Sequence, residues 1–171
     1  MKQAEFLAVV KPFKDRLYRI AKRILISAEE AEDAVQEVLL KLWDGKSKIK
    51  NYRSPEAYAI TMTKNYCLDR LRLKEASNLK LVHSNYQSSE NLEKKIESGQ
   101  EVELLFQILE MLPPRQRIVL QLRDVEGFEF SEIAEILKSN ETAVRVALSR
   151  ARKSIRDQLI KKYNHGITRN K

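Results

Sequence analysis

The sequence predicts an all-α protein of two small helical domains joined by a polar linker, the second built on a helix-turn-helix. Three observations lead there. Only four Gly and four Pro among 171 residues leave little material for the tight turns of a β architecture. Leu, Ile, Ala, Glu, Lys and Arg dominate the composition, as expected of helices. Apolar residues recur at helical spacing through two long stretches and lose that spacing between about residues 74 and 98. The expected organisation is therefore a first domain over 1–74, a flexible linker over 75–98, and a second domain with a basic tail over 99–171. Hydrophobic residues at 43% and charged residues at 33% describe a globular chain rather than a disordered one.

The elements follow in order. A first helix is expected over 3–26, with Phe6, Val9, Val10, Phe13, Leu17, Ile20, Ala21 and Ile24 on one stripe. Pro12 lies inside it and predicts a kink or a restart. In "SAEEAEDAVQEVLLKLW", Ser27 followed by Glu30 is a capping-box pattern, and the next acids suit a helix N-terminus. Ala31, Val35, Val38, Leu39 and Leu42 supply its buried face. A third helix opens at "SPEAY", with Ser54 as cap and Pro55 in the first helical position, and continues through Leu73.

The linker, "KEASNLKLVHSNYQSSENLEKKIESG", has isolated apolar residues, many Ser and Asn, and room for a helical turn or two. At about 3.4 Å per residue it reaches roughly 80 Å when extended, enough for the two blocks to engage well-separated sites. Helical spacing resumes at "EVELLFQILEML", where Val102, Leu105, Phe106 and Leu109 are expected to pack. Pro113 and Pro114 end that helix, and "RQRIVLQLRDVEG" forms the next, closing at Gly127. "FSEIAEIL" reads as a short helix capped by Ser131, followed by the turn "KSN" and a long helix capped by Asn140.

Little enzyme chemistry is available. His83 and His165 stand 82 positions apart with no ligand-type neighbours at metal spacing. Glycines at 45, 99, 127 and 166 cannot build a phosphate loop. Cys67 reads as a small core residue rather than a nucleophile. No catalytic residue, metal or cofactor is expected. No apolar run approaches the ~20 residues of a membrane span, and the N-terminus lacks the features of a secretory signal. One cysteine makes no disulfide framework, so a reducing cytoplasm is the expected location.

Charge points to a partner. From residue 141 to the C-terminus nine Lys/Arg face two acids, which accounts for +7 of the net +8. A basic end on such a chain suits a polyanion, nucleic acid first. A short helix, a three-residue turn and a longer basic helix make the helix-turn-helix plan. Ile133, Ala134 and Leu137 would face inward, and Val144 and Leu148 would hold the second helix down. Glu141, Thr142, Arg145, Val146 and Ser149 are left on the exposed early turns, where base edges are met, with Arg150, Arg152, Lys153 and Arg156 further along toward phosphates. The alternative reading of the same residues is an amphipathic helix with a solvated basic face.

"LEMLPPRQRIVLQLRDVEGFEFSEIAEILKSNETAVRVALSRARKSIRDQL" resembles the promoter-binding C-terminal domain of bacterial RNA polymerase sigma factors, and "AEDAVQEVLLKLW" with "TKNYCLDRLR" resembles their core-binding and melting domain. With a short linker and no domain between, the chain is similar to the extracytoplasmic-function group over about residues 5–160.

The resemblance implies that Asp33, Gln36, Glu37, Leu40 and Trp43 dock on the β′ clamp of core RNA polymerase, with the β flap as a further contact. Five acids and no base between Ala28 and Val38 fit a basic protein partner; the helix dipole accounts for the earliest of them but not for Glu37. It also implies that Asn51, Tyr52, Arg53, Tyr58, Lys64, Asn65 and Arg70 meet the −10 element of promoter DNA, where aromatic faces stack on unpaired bases. The alternative for Tyr58 is half-buried packing. The −35 element would fall to Glu141, Thr142, Arg145, Val146, Ser149, Arg150, Arg152 and Lys153.

An anti-sigma factor is a usual partner in the group. Two departures are visible: Ala147 stands where relatives often carry a second basic residue, and Lys138 stands in the turn where many have glycine. The first implies fewer polar contacts to the −35 element and more apolar contact with thymine methyls. The rival function is a stand-alone helix-turn-helix regulator, which binds DNA without polymerase and leaves "EEAEDAVQE" without a partner.

Overall fold

The computed structural model describes residues 1–81 and 101–168, and among these the protein is built from helices without a strand. Helix α1 (Gln3–Leu25) buries Phe6, Val10, Phe13, Leu17, Ile20, Ala21, Ile24 and Leu25. It runs unbroken through Pro12, so the expected restart does not occur. The carbonyl that proline leaves without an N–H partner belongs to Ala8, and both residues are exposed, so water can take the place of the lost bond. The helix ends on Ile26, whose backbone is left-handed at φ 61° while its N–H bonds the Lys22 carbonyl at 2.8 Å.

Helix α2 (Ala28–Asp44) is capped by the Ser27 hydroxyl, which accepts from the Glu30 N–H at 3.3 Å. The Glu30 carboxylate does not return to the cap. It reaches across to the next long helix, meeting Lys74 at 2.5 Å and Arg70 at 3.7 Å. A short helix α3 (Lys46–Ile49), not expected from the sequence, buries Ile49. Helix α4 (Pro55–Leu81) starts as expected, with the Ser54 hydroxyl accepting from the Ala57 N–H at 3.1 Å. It continues past Leu73, so the first part of the expected linker is helical; residues 82–98 of that linker lie outside the described residues.

Helix α5 (Glu101–Met111) corrects one expectation. Ile108 and Leu109 are buried, but Val102 is 65%, Leu105 40% and Phe106 44% exposed. Near the C-terminal end of α5, Leu109, with Leu112 just beyond the helix, clusters with Ala151 of the last helix. The N-terminal half of α5 has nothing of that cluster beneath it. Helix α6 (Pro114–Leu120) runs into a π-helical turn (Gln121–Val125), and the chain reverses at Gly127 with φ 76°.

Helix α7 (Phe130–Ile136) is capped by Glu129, not Ser131: the Glu129 N–H donates to the Glu132 carboxylate at 2.8 Å in a reciprocal box. It closes as a Schellman turn. The Ser139 N–H bonds the Ala134 carbonyl at 2.8 Å and the Lys138 N–H bonds the Glu135 carbonyl at 3.1 Å. Helix α8 (Glu141–Thr168) opens on Asn140, whose side chain accepts from the Ala143 N–H at 2.8 Å.

The two blocks share one core. Leu17, Ile20, Ile24, Val38 and Ile60 belong to the same apolar cluster as Ile118, Leu122, Ile133, Ile136 and Val144. Cys67 lies within it, and burial first, then the Glu30 charge, pushes its thiol up to about 12.

Polar contacts close the junction. The Glu126 carboxylate, its side chain 2% exposed, accepts from Arg19 at 2.9 and 2.8 Å and from Arg16 at 3.0 Å, both on α1, and from Gln121 at 3.0 Å. Arg117 spans the blocks by donating to the Ile24 carbonyl at 2.9 Å and to the Leu112 and Glu110 carbonyls at 2.8 and 3.0 Å. Burial lowers its pKa, while the charge of Glu110 opposes that. The π turn matters here. At about 100° per residue, one extra residue in the turn rotates everything beyond it, and Glu126 follows directly, facing α1.

Candidate nucleic-acid and partner interfaces

Three groups of predicted residues find different settings. On α2, Asp33, Gln36 and Leu40 are exposed, Leu40 to 59%, and Glu37 is half-buried with its carboxylate 3.4 Å from Lys41. Spacings of three and four put these residues and Trp43 on one helical face. Trp43 is half-buried, edge-on to Phe6 at 5.2 Å, with the Lys46 ammonium 4.0 Å from its ring centre. The face is acidic at its start and apolar at its end.

The second group divides. Asn51 and Arg53 are exposed in the turn before α4, and Tyr52 and Tyr58 stack on each other with centroids 4.2 Å apart. An aromatic pair on the surface beside basic residues offers a flat face to a base. Asn65 and Arg70 are exposed, Arg70 leaning toward Glu30. Lys64 is different. It is only 6% exposed, and its ammonium donates to the Ile136 carbonyl at 3.2 Å, at the C-terminal end of α7. Burial and the nearby Lys138 and Arg115 charges lower its pKa, and the carbonyl end of a helix is where a cation sits well. In this arrangement the second block covers Lys64, while Asn65 and Arg70 on the same helix stay exposed.

The third group is brought together as the sequence implied. Ile133, Ala134, Val144 and Leu148 are buried and Leu137 is half-buried, so the two helices are held as a helix-turn-helix. Glu141, Thr142, Arg145, Val146, Ser149, Arg150, Arg152 and Lys153 are all exposed along α8. Arg152 is engaged by the Asp124 carboxylate at 3.1 and 2.5 Å, whose hydrogen bond raises its pKa, so a phosphate there competes with Asp124. Arg145 lies 3.4 Å from Glu141 with its guanidinium carbon 3.9 Å from the centre of the Phe130 ring.

Sequence reasoning passed over Phe130, Arg123 and the junction residues Glu126 and Arg117. Phe130 carried one signal, an aromatic opening the short helix. Glu126 and Arg117 look like ordinary surface charges until α1 is placed against them, and Arg123 until the chain folds back at Phe128–Phe130.

Residues 9–76 match the sigma-70 region 2 family and residues 103–155 match sigma-70, region 4. The chain is 28% identical over 159 residues to the ECF RNA polymerase sigma factor SigE of Mycolicibacterium smegmatis, covering 90% of this chain and 61% of SigE. It is 27% identical over 168 residues to the RNA polymerase sigma-H factor of Pseudomonas aeruginosa, covering 90% of this chain and 85% of that protein. In fold it is similar to the sigma factor RpoE from Bartonella quintana, solved in complex with the anti-sigma factor NepR, at a TM-score of 0.72 and 20% identity over 91% of this chain and 96% of RpoE.

Proposed function

Because this chain belongs to the extracytoplasmic-function group of the sigma-70 family of RNA polymerase sigma factors, we propose that it binds core RNA polymerase in the cytoplasm and directs transcription initiation from promoters with −10 and −35 elements. Catalysis stays with the polymerase core, and this chain supplies anchoring and base recognition. The first block carries the polymerase anchor on α2 and the −10 surface around Tyr52 and Tyr58. The second carries the −35 helix α8 and meets the β flap. An anti-sigma factor is the partner that would hold the protein out of action.

The observation that carries this reading is the α2 face. A chain of net +8 displays exposed Asp33 and Gln36 next to Leu40, which is 59% exposed, on the block opposite its basic helix. A stand-alone DNA-binding protein has no use for that combination, whereas a basic protein surface with an apolar rim does. The test is a titration of core polymerase with the full chain. Asp33→Ala combined with Gln36→Ala weakens binding by about tenfold or more, worth about 1.4 kcal/mol, with helicity unchanged. Unchanged affinity with normal circular dichroism removes the anchor from α2. Promoter binding without polymerase, and no polymerase binding at all, returns the stand-alone regulator.

A further inference from the structure

The Phe130 ring lies against two guanidinium groups. The Arg145 carbon is 3.9 Å from the ring centre and the Arg123 carbon 4.6 Å. Arg123 is fixed in its own right, donating to the Phe128 carbonyl at 2.8 Å and to the Glu129 carboxylate at 3.2 Å. The backbone under the ring is fixed too, because Phe130 is the first residue of α7 and the Glu129–Glu132 box closes on it. The ring is thus a rigid shelf between the π turn and the DNA-facing helix.

We propose that Phe130 is a positioning residue for sequence recognition: its ring holds the flat face of the Arg145 guanidinium, so that the donor edge of Arg145 is presented to a base. This rests on the reading of α8 as the −35 helix. Stacking uses the face of a guanidinium and leaves its N–H groups free in the plane, where a bidentate bond to guanine O6 and N7 is made. A long, exposed arginine otherwise loses rotamer freedom on binding, and a ring that already holds it reduces that loss. The competing contact is weak. Glu141 sits 3.4 Å from Arg145, longer than a good N–H···O bond, so a base edge displaces it.

The experiment uses holoenzyme assembled from the full chain and core polymerase, offered a duplex library randomised across the −35 element. Arg145→Ala flattens the preference at one base position. Phe130→Leu, which keeps an apolar side chain but no ring, lowers the preference at that same position by about threefold, while overall affinity for the library is unchanged. Phe130→Tyr retains the preference. Phe130→Met takes the place of Phe130→Leu if the latter fails to fold. If Phe130→Leu or Phe130→Met weakens all sequences alike and leaves that position as selective as before, the ring is only packing and the proposal falls. If Arg145→Ala leaves every position unchanged, the reading of α8 falls first and the proposal with it.

Discussion

Two residues hold backbone conformations that their side chains oppose. Ile26 and Lys138 have φ of 61° and 48°, in the left-handed region where a Cβ crowds the following carbonyl. Each ends a helix there, Ile26 after α1 and Lys138 within the Schellman turn after α7. A glycine would hold either conformation without that crowding, and this chain does without one at both positions. Lys138→Gly and Ile26→Gly are each expected to raise stability by about 1 kcal/mol, read as a higher urea midpoint at unchanged slope. Both side chains are exposed, so little packing is lost. A fall in midpoint at both positions contradicts the argument. Asn140 was legible as a cap because a cap depends only on neighbours in sequence; Ser131 failed as one because the helix starts two residues earlier, where Glu129 and Glu132 cap each other.

At the scale of elements, α1 is the case where a local rule gave way. Pro12 removes an N–H and crowds the preceding turn, yet the helix passes through it. The stripe from Phe6 to Leu25 buried on one side outweighs the defect on the exposed side. Pro12→Ala restores the bond to the Ala8 carbonyl and removes the crowding. It should stabilise the protein by about 1–3 kcal/mol, measured by thermal or urea denaturation. No gain would mean that the helix bends to accommodate the ring at no cost. In α5 the apolar pattern was read correctly as helix and, at Leu109, as core, but wrongly as core at Val102, Leu105 and Phe106. Periodicity says which face is apolar, whereas only the position of α8 says how far along that face there is something to pack against.

At the scale of the molecule, the junction of the two blocks rests on Glu126. Burial alone would raise its pKa, but hydrogen bonds from Arg19, Gln121 and Arg16 and the charge of Arg19 outweigh that and hold it below the ordinary value of 4.5. A carboxyl lowered on folding contributes its full stabilisation above that ordinary value and loses it as acid takes the pH down through the lower, folded one. Glu126→Gln should cost about 1–2 kcal/mol at neutral pH, since its arginine partners are partly exposed and screened. It should also remove this part of the acid sensitivity, which urea midpoints measured from pH 7 down to the acid range would reveal. Small-angle scattering of the free variant should give a larger radius of gyration as the blocks part. An unchanged radius together with an unchanged midpoint would mean that the shared apolar core alone holds them.

By itself the sequence determined the helices, most of their caps and the helix-turn-helix, because hydrophobic period, turn residues and capping act within a few residues of one another. It also carried the family pattern and the division of charge between an acidic α2 and a basic α8. Tertiary structure alone decided which charges are free to act. Lys64 reads in the chain as a DNA contact, and Glu126 and Arg117 as ordinary charges; all three become buried contacts only when segments more than 50 positions apart in sequence are pressed together. The same holds for Phe130, whose place against Arg123 and Arg145 depends on how the π turn and α8 meet. Burial and long-range pairing are properties of the packed surface, and no local spacing encodes them.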